Sequence, residues 1–155
     1  MIILSFAFPE AGSPWLKTWE HARTKDVSSL GETELRYKYF AVRPELVVDG
    51  VDLVSKDSFV TLVDMALSLA FAAKRIAAGE DAVLGFTETS DVIRFIWEGE
   101  LVRIKSSEND VNAVAAGGEL SAEMKRFVRA AYSRLVAEIP GLSVNPVLDR
   151  INLDL

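Results

Sequence analysis

The chain has 155 residues, 50% hydrophobic and 26% charged, with no cysteine, one histidine (His21) and a formal net charge of -6. Without thiols it excludes disulfide frameworks, thiolate nucleophiles, zinc ribbons and iron–sulfur sites. The length fits one domain, 1–155, and the acidic balance argues against nucleic acid and anionic membrane as partners.

The apolar run Ile2-Ile3-Leu4-Ser5-Phe6-Ala7-Phe8 reads as a strand. It lacks the preceding basic residues and following small-residue pattern of an export signal, so a cytoplasmic location is expected. Residues 9–33 are polar and irregular. Within them, Ser13-Pro14 reads as an N-cap with proline at the first helical position. Trp15 and Trp19 then fall four apart, on one face of a short helix.

Residues 34–42 alternate, with Leu35, Tyr37 and Tyr39 against Arg36 and Lys38, which predicts a half-buried strand. Pro44 interrupts. Asp49-Gly50 between apolar runs predicts a two-residue hairpin that sets Val48 opposite Val51 and Leu46 opposite Leu53. A helix is expected from a cap at Ser55 or Asp57 to about Ala78, stopped by Gly79. It is apolar nearly all round, leaving a narrow stripe of Thr61, Asp64 and Ser68, so it belongs at the centre of the domain. It is too short to span hydrocarbon.

Three strands follow at 83–87, 92–97 and 101–105, the last two closed by Glu98-Gly99. Residues 106–119 are small and polar and read as a mobile loop, with Gly117-Gly118 as a hinge. A second helix starts at Ser121 and ends at Ile139, before Pro140-Gly141. Its apolar face is Met124, Phe127, Val128, Ala131, Leu135 and Ile139. The tail 145–155 alternates like an edge strand. These elements predict an α+β fold in β-β-β-α-β-β-β-α order. Five or six antiparallel strands form one sheet, with a long apolar helix and an amphipathic helix on one face.

The stretches Tyr37-Lys38-Tyr39-Phe40, Glu45 to Leu53, Phe86-Thr87-Glu88 and Ile93-Arg94-Phe95 resemble a family of small bacterial proteins similar in style to immunity proteins of polymorphic toxin systems. The resemblance covers residues 34–137. It implies a binding role and brings no catalytic residues.

Several groups could carry chemistry. Asp49 and Asp52 flank Gly50 but lack the run of oxygen ligands that a calcium loop supplies, so no metal or cofactor is expected. Glu88 and Asp91 are close enough in sequence for acid–base work, yet they sit in what reads as a solvated connection. Asp64 interrupts an apolar helix and has three readings. It faces solvent on the polar stripe, it is buried against Arg36 or Arg94, or it is a functional acid in a cleft. Trp15, Trp19 and His21 form either a contact patch or a lid over the central helix.

The expected function is non-enzymatic protein binding of the toxin-neutralising type, acting by occlusion. Its contact surface would be Trp15, Trp19, His21, Glu88, Asp91, Glu98 and Glu100, and its partner a basic toxin domain. The alternatives are a small enzyme using Asp64, Glu88 and Asp91, or a homodimer or larger homo-oligomer joined through strand edges.

Overall fold

A computed structural model describes residues 1–54, 57–86, 91–107 and 110–153. The N-terminal apolar run forms strand β1 (Ile2–Ala7), which pairs antiparallel with β2 (Ala41–Val48) from Ile2 opposite Val48 to Ala7 opposite Arg43. Asp49 and Gly50 both take positive φ, 48° and 82°, the left-handed pair a tight primed turn requires. That turn leads into β3 (Val51–Asp52), with Val48 opposite Val51, and the Leu53 N–H donates to the Leu46 carbonyl at 2.9 Å. β4 (Val60–Thr61) pairs with the other end of β2, at Ala41 and Val42. Pro44 lies inside β2, between the stretches that β3 and β4 cover. Its missing N–H therefore falls where that side of the strand has no neighbour.

The expected strand over 34–42 is instead divided: residues 34–37 are helical, 38–40 turn the chain, and Ala41 and Val42 alone are strand. After α1 (Lys17–Arg23) comes α2 (Glu32–Tyr37), with Glu32 and Glu34 in its first turn. Leu35 and Tyr39 are buried four residues apart, whereas Tyr37 is 47% exposed. The apparent alternation was a four-residue spacing with an exposed tyrosine between.

Helix α3 (Leu62–Ala77) begins after Thr61, later than a cap at Asp57 would put it, because residues 60–61 are drawn into pairing with β2. Ser55 lies outside the described residues. Gly79, with φ 77°, follows the helix end as expected. Eleven of the sixteen α3 residues are buried, which agrees with its near-continuous apolar surface, while Phe71 faces solvent.

A second sheet contains β5 (Ala82–Gly85), β6 (Val92–Glu98), β7 (Leu101–Ser106) and β8 (Asn112–Ala116), in that order and antiparallel throughout. β8 occupies part of the stretch expected to be a loop. Its buried positions are Ala113 and Ala115, small residues that alternate without the bulk that usually marks a strand.

Helix α4 (Gly117–Glu138) then starts four residues before Ser121. Gly117 is no hinge. It is a close approach, since a Cβ there would fall on the Trp97 ring, 2.7 Å from Cζ2. The tail is a helix as well, α5 (Pro146–Leu153), with Leu148 and Ile151 buried three apart.

The fold is α+β, as expected, but the strands divide between two four-stranded sheets. The division follows from the helices. α3 and α4 pack on each other, α3 also reaching β4 and β5 while α4 reaches β1 and β8. Each sheet turns its apolar face inward, and one connected core runs from Leu4 and Leu46 through Val63 and Phe127 to Phe95 and Ile104. No described helix is long and apolar enough to cross a membrane.

Candidate functional site

The aromatic candidates part company. Ser13 accepts a hydrogen bond from the Trp15 N–H at 3.2 Å, and Pro14 opens a 3-10 turn that leads into α1. Trp19 is fully buried between Phe8 and Phe40, at 4.7 and 5.1 Å between ring centroids, and its Nε1–H donates to the Ala41 carbonyl at 2.8 Å. It locks α1 onto β2 and offers nothing to a partner. Trp15 is 42% exposed and stacks on Phe59 at 4.9 Å, with the Arg43 guanidinium 5.1 Å from the same Phe59 ring. His21 is exposed on α1.

Asp64 is buried, at 6% exposure, and accepts a hydrogen bond from Arg36 Nε at 2.7 Å. The Arg36 carbonyl in turn accepts from the Thr61 hydroxyl. Thr61 and Asp64 thus form an internal polar seam that ties α2 to the start of α3, where a solvent-facing stripe was one of the expectations. Arg94 stands away from this seam, on the outside of the second sheet.

Among the described residues, the acidic contact candidates Glu98, Glu100 and Asp91 do not converge. Glu98 and Glu100 are exposed at one end of the β6–β7 hairpin. Asp91 precedes β6 at the other end, seven residues away, or about 23 Å along an extended strand. Glu98 is engaged by Arg103, whose Nε lies 2.7 Å from its carboxylate oxygens and whose Nη1 donates to Asn112 at 2.8 Å. Glu88 lies outside the described residues. Among the described residues, no three acidic or histidine side chains gather as a metal ligand set.

A different surface comes together, one the sequence reading did not single out. The outward positions of the second sheet alternate with its buried ones, and the register aligns Val83 with Arg94, Arg94 with Lys105, and Lys105 with Asn112. This row crosses all four strands. Arg94 and Lys105 are exposed, and no ion pair reaches either among the described residues. Like charges directly opposite on neighbouring strands are destabilising.

Beside the row run Ile96, Arg103 and Val114, aligned in the same way, with Leu101 exposed at the hairpin. At the β5 edge the face continues into a cleft of about 330 Å³ lined by Arg36, Leu67, Ser68, Phe71, Val83 and Arg150. Phe71 and Val83 are two of the most exposed large apolar side chains of the molecule, and they meet here. Arg36, Arg94, Lys105 and Arg150 therefore share one apolar face in a chain of net charge -6.

The signal for this face was present in the alternation of β6 and β7, which marks Arg94, Arg103 and Lys105 as one side. What the linear pattern lacked was the α3 side chain Phe71 at the same edge. Comparison with family models, with curated proteins and with solved structures returns no match for this chain.

Proposed function

We propose that the chain is a non-enzymatic protein-binding domain that occludes its partner with the outer face of the β5–β8 sheet. The observation that carries the reading is Phe71 and Val83 exposed together where a basic row begins. Exposed apolar side chains bordered by cations, of which Arg94 and Lys105 have no ion pair among the described residues, are the composition of a contact surface, and an aromatic anchor with arginine neighbours is the usual centre of such a surface.

The resemblance to toxin-neutralising immunity proteins supports the same class of function. Net charge steers a partner over long distances, whereas charge at the contact decides the pairing. The partner surface that meets Arg94 and Lys105 is accordingly acidic, in place of the basic domain that net charge alone suggests. The enzyme reading has less support, because Asp64, one of its candidate acids, is engaged with Arg36.

The test is affinity capture from the source cells with wild type and with a face variant carrying Arg94→Glu and Ile96→Asp, followed by mass spectrometry and titration of the purified partner. The partner should be recovered by wild type and lost by the variant, whose melting curve stays unchanged. Equal recovery by both proteins would overturn the assignment.

A further inference from the structure

A second surface, separate from the sheet face, lies where β1 meets α4. β1 is the outer strand of its sheet, and the ladder fixes which way its amides point. Leu46 bonds toward β3 through the Leu53 N–H, so by alternation Glu45 and Val47 bond toward β1. Their opposite numbers Ser5 and Ile3 face β2, which leaves the backbone groups of Leu4 and Phe6 on the free edge. Arg126 confirms the direction, since its Nη2 donates to the Leu4 carbonyl at 3.3 Å.

That edge opens on a trough of about 510 Å³ whose other wall is α4. Ala130, Ser133 and Ala137 are small and leave room, and the Phe6–Phe127 edge contact, 5.3 Å between centroids, forms the apolar floor. Arg126 stands at one end, over Leu4. Arg134 stands at the other, its guanidinium 4.4 Å from the Phe8 ring centroid. Eight helical residues rise about 12 Å, and four strand residues span about 13 Å. Strand and helix therefore run side by side, with a guanidinium at each end of the gap.

Among the described residues, none that lines the trough is acidic. Glu123 and Glu138 hold the two arginines from the helix side, Glu123 at 2.6 Å from Arg126 Nη2 and Glu138 at 3.0 Å from Arg134 Nε, the latter out of line for a hydrogen bond. Each guanidinium has five N–H donors, so both keep donors for a ligand.

We propose that this trough takes an extended peptide that adds a strand to the free edge of β1 and carries two carboxylates four residues apart, one for Arg126 and one for Arg134. Residues four apart on a strand share a face and lie about 13 Å from each other, which matches the arginine spacing. Backbone pairing along an edge supplies affinity, and the side-chain pockets supply specificity. Charge complementarity selects this occupant over a second copy of the chain. β1 reads Ile-Ile-Leu-Ser-Phe-Ala and would bring no carboxylate to either arginine.

The probe is a fluorescein-labelled peptide, Thr-Asp-Val-Thr-Val-Asp-Thr with blocked termini, titrated with the full chain by fluorescence anisotropy. Saturable binding is expected. It should weaken by about tenfold or more when both Asp residues of the peptide become Asn, and likewise with Arg126→Gln or Arg134→Gln. N-methylation of the peptide amides that face β1 should abolish binding, and this control leaves the protein untouched. No saturable binding up to about 1 mM, or equal binding by the Asn or N-methylated peptide, would overturn the proposal. So would sedimentation showing a dimer that Ala130→Trp dissociates, since the trough would then belong to a second copy.

Discussion

Two neighbouring glycines should respond to alanine in opposite directions. Gly117 and Gly118 open α4, and Gly→Ala in a helix ordinarily gains about 0.5–1 kcal/mol. At Gly118 nothing lies within 4 Å of the added methyl, so Gly118→Ala keeps most of that gain. At Gly117 the methyl meets Trp97 Cζ2 at 2.7 Å and Cζ3 at 2.9 Å. An indole fixed in the β6–β7 ladder opposite Val102 cannot swing aside as a flexible chain end would. Forcing a methyl into such a packed site costs about 1–3 kcal/mol, which exceeds the propensity gain and leaves Gly117→Ala about 1–2 kcal/mol less stable than wild type.

The two variants should then differ by about 2 kcal/mol, or roughly 4–8 °C in Tm for a domain of this size. Urea unfolding with unchanged slope measures the difference, because a shift in midpoint at constant slope reports stability alone. Repeating Gly117→Ala in a Trp97→Leu background should shrink its penalty, which isolates the contact as the cause. Both glycine variants moving in the same direction, or a Gly117→Ala penalty indifferent to Trp97, would refute the reasoning.

Four further outcomes follow from the described geometry. Arg36→Met should destabilise more than Asp64→Leu, because the first leaves a buried carboxylate with less compensating charge while the second leaves a guanidinium, 23% exposed, that reaches water. Chemical denaturation of both variants, with the order reversed, would contradict the seam as described. Asn145 is fully buried, donates to the carbonyls of Val27 and Leu30 at 2.7 and 3.0 Å, and accepts from the Val147 N–H. Asn145→Ala strips a buried carbonyl, a half-buried one and a helix cap at once and should cost about 2–4 kcal/mol by the same measurement. Trp19→Phe should cost about 1–2 kcal/mol through the lost bond to Ala41, whereas Trp15→Phe stays within about 0.5 kcal/mol and removes most of the acrylamide-accessible fluorescence, Trp97 being half-buried. Hydroxyl donation from Ser28 and Ser29 lowers the Asp26 pKa below its ordinary 3.8. A depressed carboxylate stabilises the fold above that value and loses the contribution as pH falls through its folded value, so Asp26→Asn should flatten the acid limb of stability below about pH 4.

What could be read along the chain was whatever local chemistry decides. Asp49-Gly50 set its own hairpin, and the alternation of β6 and β7 set theirs. Met124, Phe127, Val128, Ala131 and Leu135 announced the buried face of α4 by helical spacing, and all five are buried. The misses have two physical causes. Where side chains are small, as in Ala113 and Ala115, burial leaves no hydrophobic signature. Where spacing is ambiguous over few residues, as in Leu35 to Tyr39 or Leu148 to Ile151, capping decides, and Asn145 fixes the tail as helix through a contact over a hundred residues away. The division into two sheets depends on how α3 and α4 pack, which no window of sequence contains. The two tryptophans part for a related reason. Two tryptophans four apart look like one patch, yet Trp19 finds Ala41 and Trp15 finds Phe59, partners supplied by tertiary structure.

The two sheets also differ in how the chain must assemble them. β5 to β8 join neighbours in chain order, so their ladders close over short stretches and can form early. β1 finds β2 only after residues 8–40 have been looped out, and it finds α4 across more than a hundred residues, a closure that is entropically late. The trough beside β1 is therefore among the last features to appear in a folding chain. Any peptide held there binds only the completed molecule and raises its stability by mass action, with the logarithm of its concentration once that exceeds Kd.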